Sequence, residues 1–473
     1  VGEVAQRAVE GYTTSHSNRS KECRSIAPNF RKKSMREGSL DAPIRHKIDW
    51  KNPDFTNPEK LDEEMRRVFD ICHGCRRCFN LCDSFPKLFD LIDGSKTGEL
   101  DSVSSDSFPD VVDQCTLCDM CYLTKCPYVP PHEFNLDFPH LMLRYRYANQ
   151  KKSIENQLGE MDRNGKLGTT LAPAVNWLTK TDNTISRSLM EKTVSIDRRA
   201  SVPKFSKSTL ISLAKAGEPA NNAAPSFGEK VVIYATCFGN YHQPDLGLAT
   251  RYILAKNGVD VQVAYPGCCG MPKLEQGNIP AVVRQAETVA TELCQWIDKG
   301  YTVMALVPSC ALMLKQEWPL LTTHPDVEKL AKHTVDIAEY IVRLAKTKGL
   351  ADGIQALGDK VTAHISCHSR AQNMGHKAVE MLKLIPDLEV AVIERCSGHG
   401  GSWGMMVDNF DVALKVGKPV AKTALSHNSS QVLSECPLAG EHILQGIERL
   451  SPEHQLTTTH PVFVLAKAYG WKK

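Results

Sequence analysis

The chain has 473 residues, too many for one small core, so two or three domains are expected. Its 42% apolar and 23% charged content is ordinary for a soluble globular protein, and a formal net charge of +3 singles out no partner class and gives no sign of nucleic-acid binding. No apolar run approaches the ~18–20 residues needed to cross a bilayer, and no signal-peptide core is visible. Seventeen cysteines are the unusual feature. Their odd number and repeated three-residue steps argue against a disulfide framework and for metal ligation in a reducing, cytoplasmic setting.

Residues 1–60 read as a polar, basic arm. Residue 1 is Val, which suggests that the natural N-terminus lies upstream. Between Arg19 and Arg36 seven basic residues face one acid, Glu22, the pattern of a solvated arm. Docking to an acidic partner or a membrane surface is the alternative. Cys23 has no neighbour at ligand spacing. Residues 61–160 hold two dense cysteine runs. The stretch from Leu61 to Cys72 has helical periodicity and feeds the first run, a polar loop from Gly94 separates the runs, and His140 to Gln150 is again helix-compatible. Residues 161–227 read as a helical connector ending in a Pro/Ala/Asn-rich linker.

The first run is Cys72-x2-Cys75-x2-Cys78-x3-Cys82, and the second is Cys115-x2-Cys118-x2-Cys121-x4-Cys126-Pro127. Three thiolates at steps of three can wrap one face of a cuboid cluster, since a tight turn points all three sulphurs inward. Zinc uses the same ligand, but its four-cysteine sites typically pair two C-x-x-C units. In two-cluster ferredoxins the distant fourth cysteine completes the other cluster. Carried over, one [4Fe–4S] cluster takes Cys72, Cys75, Cys78 and Cys126, and the other takes Cys115, Cys118, Cys121 and Cys82. Two departures stand out: four residues precede Cys126 instead of three, and Asp83 follows Cys82.

The rest reads as two related α/β halves, 228–355 and 356–473. Strands are expected at Val231–Ala235, Val259–Tyr265 and Thr302–Val307 in the first. In the second they are expected at Val361–Ile365, Leu388–Ile393 and around Thr423. Each cysteine follows a strand, where open α/β sheets place their sites. The first half offers Cys237, Cys268, Cys269 and Cys310. The second offers Cys367, Cys396 and Cys436, with Ser397 in place of the second adjacent cysteine. His399 and His368 are candidates for the missing ligand, with plain structural roles as the alternative. Cys294 reads as a core cysteine, and His442 as a structural or surface residue. The glycines of Cys396–Gly404 suit a turn passing close to a prosthetic group.

From about Leu61 onward the sequence resembles a superfamily in which a two-cluster ferredoxin domain is joined to two cysteine-rich CCG domains. It includes the iron–sulphur subunits of anaerobic glycerol-3-phosphate dehydrogenase and of glycolate oxidase, and heterodisulfide reductase-like proteins. Pro308–Pro319, Glu394–Gly404 and Ser434–Gly446 carry a resemblance to the glycerol-3-phosphate dehydrogenase branch. It implies an α/β chain in which an α-helical ferredoxin-like domain with two [4Fe–4S] clusters precedes two duplicated α/β CCG domains. A further cluster is implied in the first CCG domain, and the second is a candidate for another. Against the family's full five-cysteine pattern, Val307 replaces one cysteine in the first half, while Ser397 and Leu433 replace two in the second. The resemblance implies an electron-transfer subunit that connects a flavoprotein or other donor to a quinone or other acceptor, with peripheral contact at the inner membrane face open. A stand-alone oxidoreductase acting on a thiol, disulfide or quinone, and a redox-sensing scaffold, are the alternatives.

Overall fold

The computed structural model describes residues 43–124, 126–150 and 154–472. The basic run Arg19–Arg36 and Cys23 lie outside the described residues. The chain forms two compact units.

The first unit comprises, of the described residues, 43–45, 51–115 and 120–148, and it is helical. Its longest helix, Pro58–Cys75, starts where the Asn57 side chain accepts the Lys60 N–H at 3.0 Å and proline occupies the first turn. Leu61, Met65, Val68 and Phe69 form one buried stripe at helical spacing. The helix stops at Arg76, whose φ of 51° is left-handed and whose N–H returns to the Cys72 carbonyl at 2.9 Å. Helix Ser84–Asp93 buries Phe85, Leu88, Phe89 and Ile92, and helix Phe138–Ala148 buries Phe138, Leu141 and Met142. The aromatic rings join these elements: Phe85 lies 4.7 Å from Phe138, and Phe69 lies 5.0 Å from Phe108, centroid to centroid.

The second unit comprises 46–50, 116–119 and the described residues from Asn149 onward. Helices Met161–Thr170, Ala172–Leu178 and Thr184–Val194 open its main stretch. Two four-stranded parallel sheets follow. The first is built from β1 (Lys230–Tyr234), β2 (Asp260–Ala264), β3 (Thr302–Ala305) and β4 (Thr334–Asp336), in the order β2-β1-β3-β4. The second repeats it with β5 (Lys360–His364), β6 (Glu389–Ile393), β7 (Gln431–Ser434) and β8 (Thr457–Thr459), in the order β6-β5-β7-β8. Val231–Tyr234 are all buried, as expected of a central strand covered on both faces. The registers also repeat: Tyr234 pairs with Ala264 and Ala305, and His364 pairs with Ile393 and Ser434.

The third strand of the second half is not at Thr423. That residue lies in helix Phe410–Ser426, where Ala413, Leu414, Gly417, Val420, Ala421 and Ala424 form a buried face at helical spacing. The short run Thr-Ala-Leu is strand-compatible alone, but a 17-residue amphipathic pattern encloses it. The strand is Gln431–Ser434, immediately before Cys436. The fourth strands, three residues each, carry no sequence signal of their own.

Candidate iron–sulphur sites

In the first unit the end of helix Pro58–Cys75 and the turn after it hold Cys72, Cys75 and Cys78. Together with Cys126 they line one partly open pocket, walled by Phe85, Tyr128 and Leu136. Burial pushes the Cys72 thiol well up, and the neighbouring Cys126, Cys78 and Cys75 push it further against the opposing Arg67. Burial also pushes Cys126 up to about 11. Thiols packed so closely in an apolar wall cannot ionise together without added positive charge, which a cationic metal core supplies. This donor set fits an iron–sulphur cluster.

Of the other run cysteines, Cys115 and Cys121 are buried, and Cys82 is half-buried. The Arg146 guanidinium donates to the carbonyls of Val112, at 2.7 Å, and Cys115. Cys118 sits in the segment Thr116–Asp119, which folds with the second unit. It is flanked by Leu117 and Asp119, both non-glycine residues at left-handed φ of 47° and 62°. Its thiol heads the charges that, after burial, raise Cys367, followed by Cys396 and Cys436. Sequence spacing gives no hint of that neighbour.

The first half gathers its four thiols over the carboxyl ends of β1, β2 and β3. Cys237 opens helix Cys237–Tyr241 just after β1, and Thr236 Oγ1 caps it by accepting the Gly239 N–H at 3.1 Å. Cys268 and Cys269 follow β2, and the turn ends at Gly270, φ 82°, whose N–H points at Cys268 Sγ at 3.4 Å. Cys310 lies in helix Pro308–Leu312 after β3. Cys237 Sγ is 3.8 Å from Cys268 Sγ, and Cys269 Sγ is 3.2 Å from Cys310 Sγ. Hydrogen bonds from Cys237 and Cys269 hold Cys268 well below the ordinary thiol range, and the same bonds push those two partners up. Four buried thiols packed this closely are a set short of positive charge, and it fits a metal cluster for the same reason.

Residues not anticipated from sequence support this site. Asp162, on helix Met161–Thr170, accepts the Tyr265 hydroxyl at 2.5 Å and the Cys268 N–H at 3.2 Å. Trp318 Nε1 donates to the Cys269 carbonyl at 3.0 Å, and the Tyr234 hydroxyl to the Gly267 carbonyl at 2.7 Å. The connector helix therefore belongs to the site. Cys294 is buried, its Sγ 3.3 Å from the Asp326 carbonyl.

The second half repeats the frame with altered chemistry. Cys367 opens helix Cys367–Ala371 after β5, and the Gly398 N–H points at Cys396 Sγ at 3.3 Å, as Gly270 does for Cys268. Cys436 is the N-cap of helix Pro437–Leu450. Its counterpart is Val307, N-cap of helix Pro308–Leu312, and not Cys310. The strand registers and the proline opening both helices fix that match, so the residue missing from the second half lies at Ala439, not at Leu433. The halves keep different members of the last cysteine pair. His368 Nδ1 is 2.8 Å from Ser309 Oγ, and the His399 and His442 ring centroids are 6.1 Å apart. Burial brings His399 down to about 3, helped by His442 and His368. Among the described residues no three His, Cys, Asp or Glu side chains are grouped closely enough to hold one metal ion.

The cysteine-rich domain family CCG matches residues 231–315, which contain Cys237, Cys268, Cys269 and Cys310. A subunit of the anaerobic glycerol-3-phosphate dehydrogenase of Escherichia coli is 26% identical over 69% of this chain and 80% of its own length. A subunit of the fumarate reductase (CoM/CoB) of Methanothermobacter marburgensis is 27% identical over 47% of this chain and 43% of its own. A subunit of the dihydromethanophenazine:CoB–CoM heterodisulfide reductase of Methanosarcina acetivorans is 27% identical over 51% and 59%. Residues 231–315 thus match the CCG cysteine-rich domain, and the chain as a whole is similar to subunits of dehydrogenase and reductase complexes. The first half is its CCG domain, and the second sheet repeats that domain's strand order. No helix among the described residues is long and apolar enough to cross a membrane.

Proposed function

We propose that the chain is the electron-transfer subunit of an oxidoreductase complex, relaying single electrons between a flavoprotein or other redox donor and a quinone or other acceptor. The observation that carries this reading is the convergence of Cys72, Cys75, Cys78 and Cys126 on one cavity, although the last is far from the others in sequence. Relatives named as dehydrogenase and reductase subunits support it.

In this reading residues 61–160 are a ferredoxin-like domain with two [4Fe–4S] clusters, the second held by Cys115, Cys118, Cys121 and Cys82. The CCG domain uses Cys237, Cys268, Cys269 and Cys310. The second half uses Cys367, Cys396 and Cys436, with His399 as its further ligand. Bound clusters supply one-electron chemistry, and the protein contributes ligation, spacing and tuning of potential. Hydride chemistry belongs to a partner, since the sequence carries no dinucleotide fingerprint.

The test is anaerobic purification followed by iron and acid-labile sulphide analysis and electron paramagnetic resonance. A brown protein with reducible clusters, oxidised by a quinone analogue or by a partner protein, is expected. A colourless protein without sulphide, or one holding zinc in the early sites, would sink the reading.

A further inference from the structure

The two halves share a frame, so equivalent positions can be compared directly. Phe238 follows Cys237 where His368 follows Cys367. Met271 follows the left-handed Gly270 where His399 follows the left-handed Gly398. Met313 sits in the first half where His442 sits in the second, each at the same distance beyond the proline that opens its helix. Three positions that are apolar around the CCG site are thus imidazoles around its repeat. Over the same comparison the cysteine pair Cys268-Cys269 becomes Cys396-Ser397.

All three of these imidazoles are left incomplete by the protein. The Nε2 atoms of His368, His399 and His442 are buried and make no hydrogen bond; His368 is tied through its Nδ1 to Ser309 Oγ at 2.8 Å, and His442 as a residue is only 5% exposed. A buried ring nitrogen without a partner is uncommon and calls for something to meet it. The place is also specific. A Cβ built on Gly417 would lie 2.2 Å from the Ser397 carbonyl and 3.7 Å from His442 Cδ2, so the His442 ring and the backbone of Ser397, the residue that replaces the second cysteine, both flank Gly417. Trp403, on the same glycine-rich turn as His399, has a buried Nε1–H that is likewise unmatched. An indole nitrogen can only donate, which points to an acceptor at this turn that the protein does not supply.

We propose that His442 acts with His399 to present ring nitrogen to the iron–sulphur core held by Cys367, Cys396 and Cys436, so that the second half binds through a mixed sulphur–nitrogen shell. This rests on the reading that the second half holds a cluster, and it adds His442 as a residue of that site. Replacing thiolate by imidazole, or donating N–H to cluster sulphur, lowers the negative charge the core carries and raises its reduction potential. The second-half centre therefore lies at higher potential than the CCG centre and is the natural electron sink of the pair.

The test uses the full chain purified anaerobically from cells fed 15N-histidine, compared with unlabelled protein. Pulsed electron paramagnetic resonance on the signal abolished by Cys396→Ser should show nitrogen couplings that change with the label. His442→Phe should remove one class of coupling and lower the midpoint potential of that signal alone. A Cys396-dependent signal without any label-dependent coupling overturns the proposal while leaving the electron-transfer reading intact. No Cys396-dependent signal, together with an iron count that Cys396→Ser does not change, overturns the proposal and the cluster it rests on. Should His442→Phe fail to fold, His442→Gln is read in its place, and an unchanged set of label-dependent couplings in it overturns the role of His442.

Discussion

Asp162 accepts the backbone N–H of Cys268 at 3.2 Å and thereby ties the connector helix Met161–Thr170 to the paired cysteines after β2. The same carboxylate accepts the Tyr265 hydroxyl, so one side chain fixes both the strand end and the turn. Asp162→Ala should leave three donors unmatched, Gln285 Nε2 being the third, and destabilise the second unit by about 2 kcal/mol. Asp162→Asn retains an acceptor but removes a negative charge near the thiols. It should keep the fold and raise the potential of the CCG centre, read by redox titration of its signal. An unchanged potential would show that the carboxylate is only a structural tie.

The iron content separates the sites. Two four-iron clusters in residues 61–160 account for about 8 iron atoms, and occupied duplicated halves take the count above that. Cys72→Ser and Cys126→Ser should each disturb the same spectral component, because both thiols line one cavity. Two different components disturbed would break that ligand set.

Two equivalent glycines should respond differently to a methyl group. Gly270 and Gly398 have φ of 82° and 80°, so alanine at either carries a left-handed strain of about 1–2 kcal/mol. A Cβ at Gly270 meets nothing nearer than 3.6 Å, whereas at Gly398 it would lie 2.0 Å from the Ala413 carbonyl. Gly270→Ala should therefore lower the denaturation midpoint modestly. Gly398→Ala must displace helix Phe410–Ser426, and it should also weaken the Cys396-dependent signal. Equal effects in both would contradict this packing.

Asp137 gives a pH dependence of known sign. Burial alone pushes its carboxyl up, but His140 and Arg45 beside it outweigh burial and leave it well below the usual carboxylate range. Arg45 donates to it at 3.0 and 3.1 Å. A carboxylate depressed in the folded state stabilises the fold above its unfolded pKa of about 4, and that contribution fades as pH falls through the lower folded value. Asp137→Asn should be less stable than the unsubstituted chain by about 2 kcal/mol at pH 7. The two should converge as pH falls below about 4, measured by denaturant unfolding. A gap independent of pH would assign the effect to packing.

Chemistry was more legible in the chain than geometry. Thiols at three-residue steps point to metal ligation, because short spacing brings the sulphurs to one side of a turn. The central strand Val231–Tyr234 was equally plain, since burial on both faces favours continuous apolar residues, and Val361–His364 was found as its repeat although Thr362 and His364 interrupt the apolar run. Strands as short as Thr334–Asp336 leave no periodicity to detect, and Thr423 misled because three residues suit a strand as well as the helix that holds them.

Local sequence thus established what kind of atoms the sites contain: soft sulphur donors, repeated in two related halves. Folding alone established which of them meet. Cys126 joins Cys72, Cys118 neighbours Cys367, Asp162 reaches Cys268, and Cys436 matches Val307 because registers and helix starts, not spacing, align them. Side-chain type is written residue by residue, whereas proximity across tens or hundreds of residues emerges only when strands pair and helices pack.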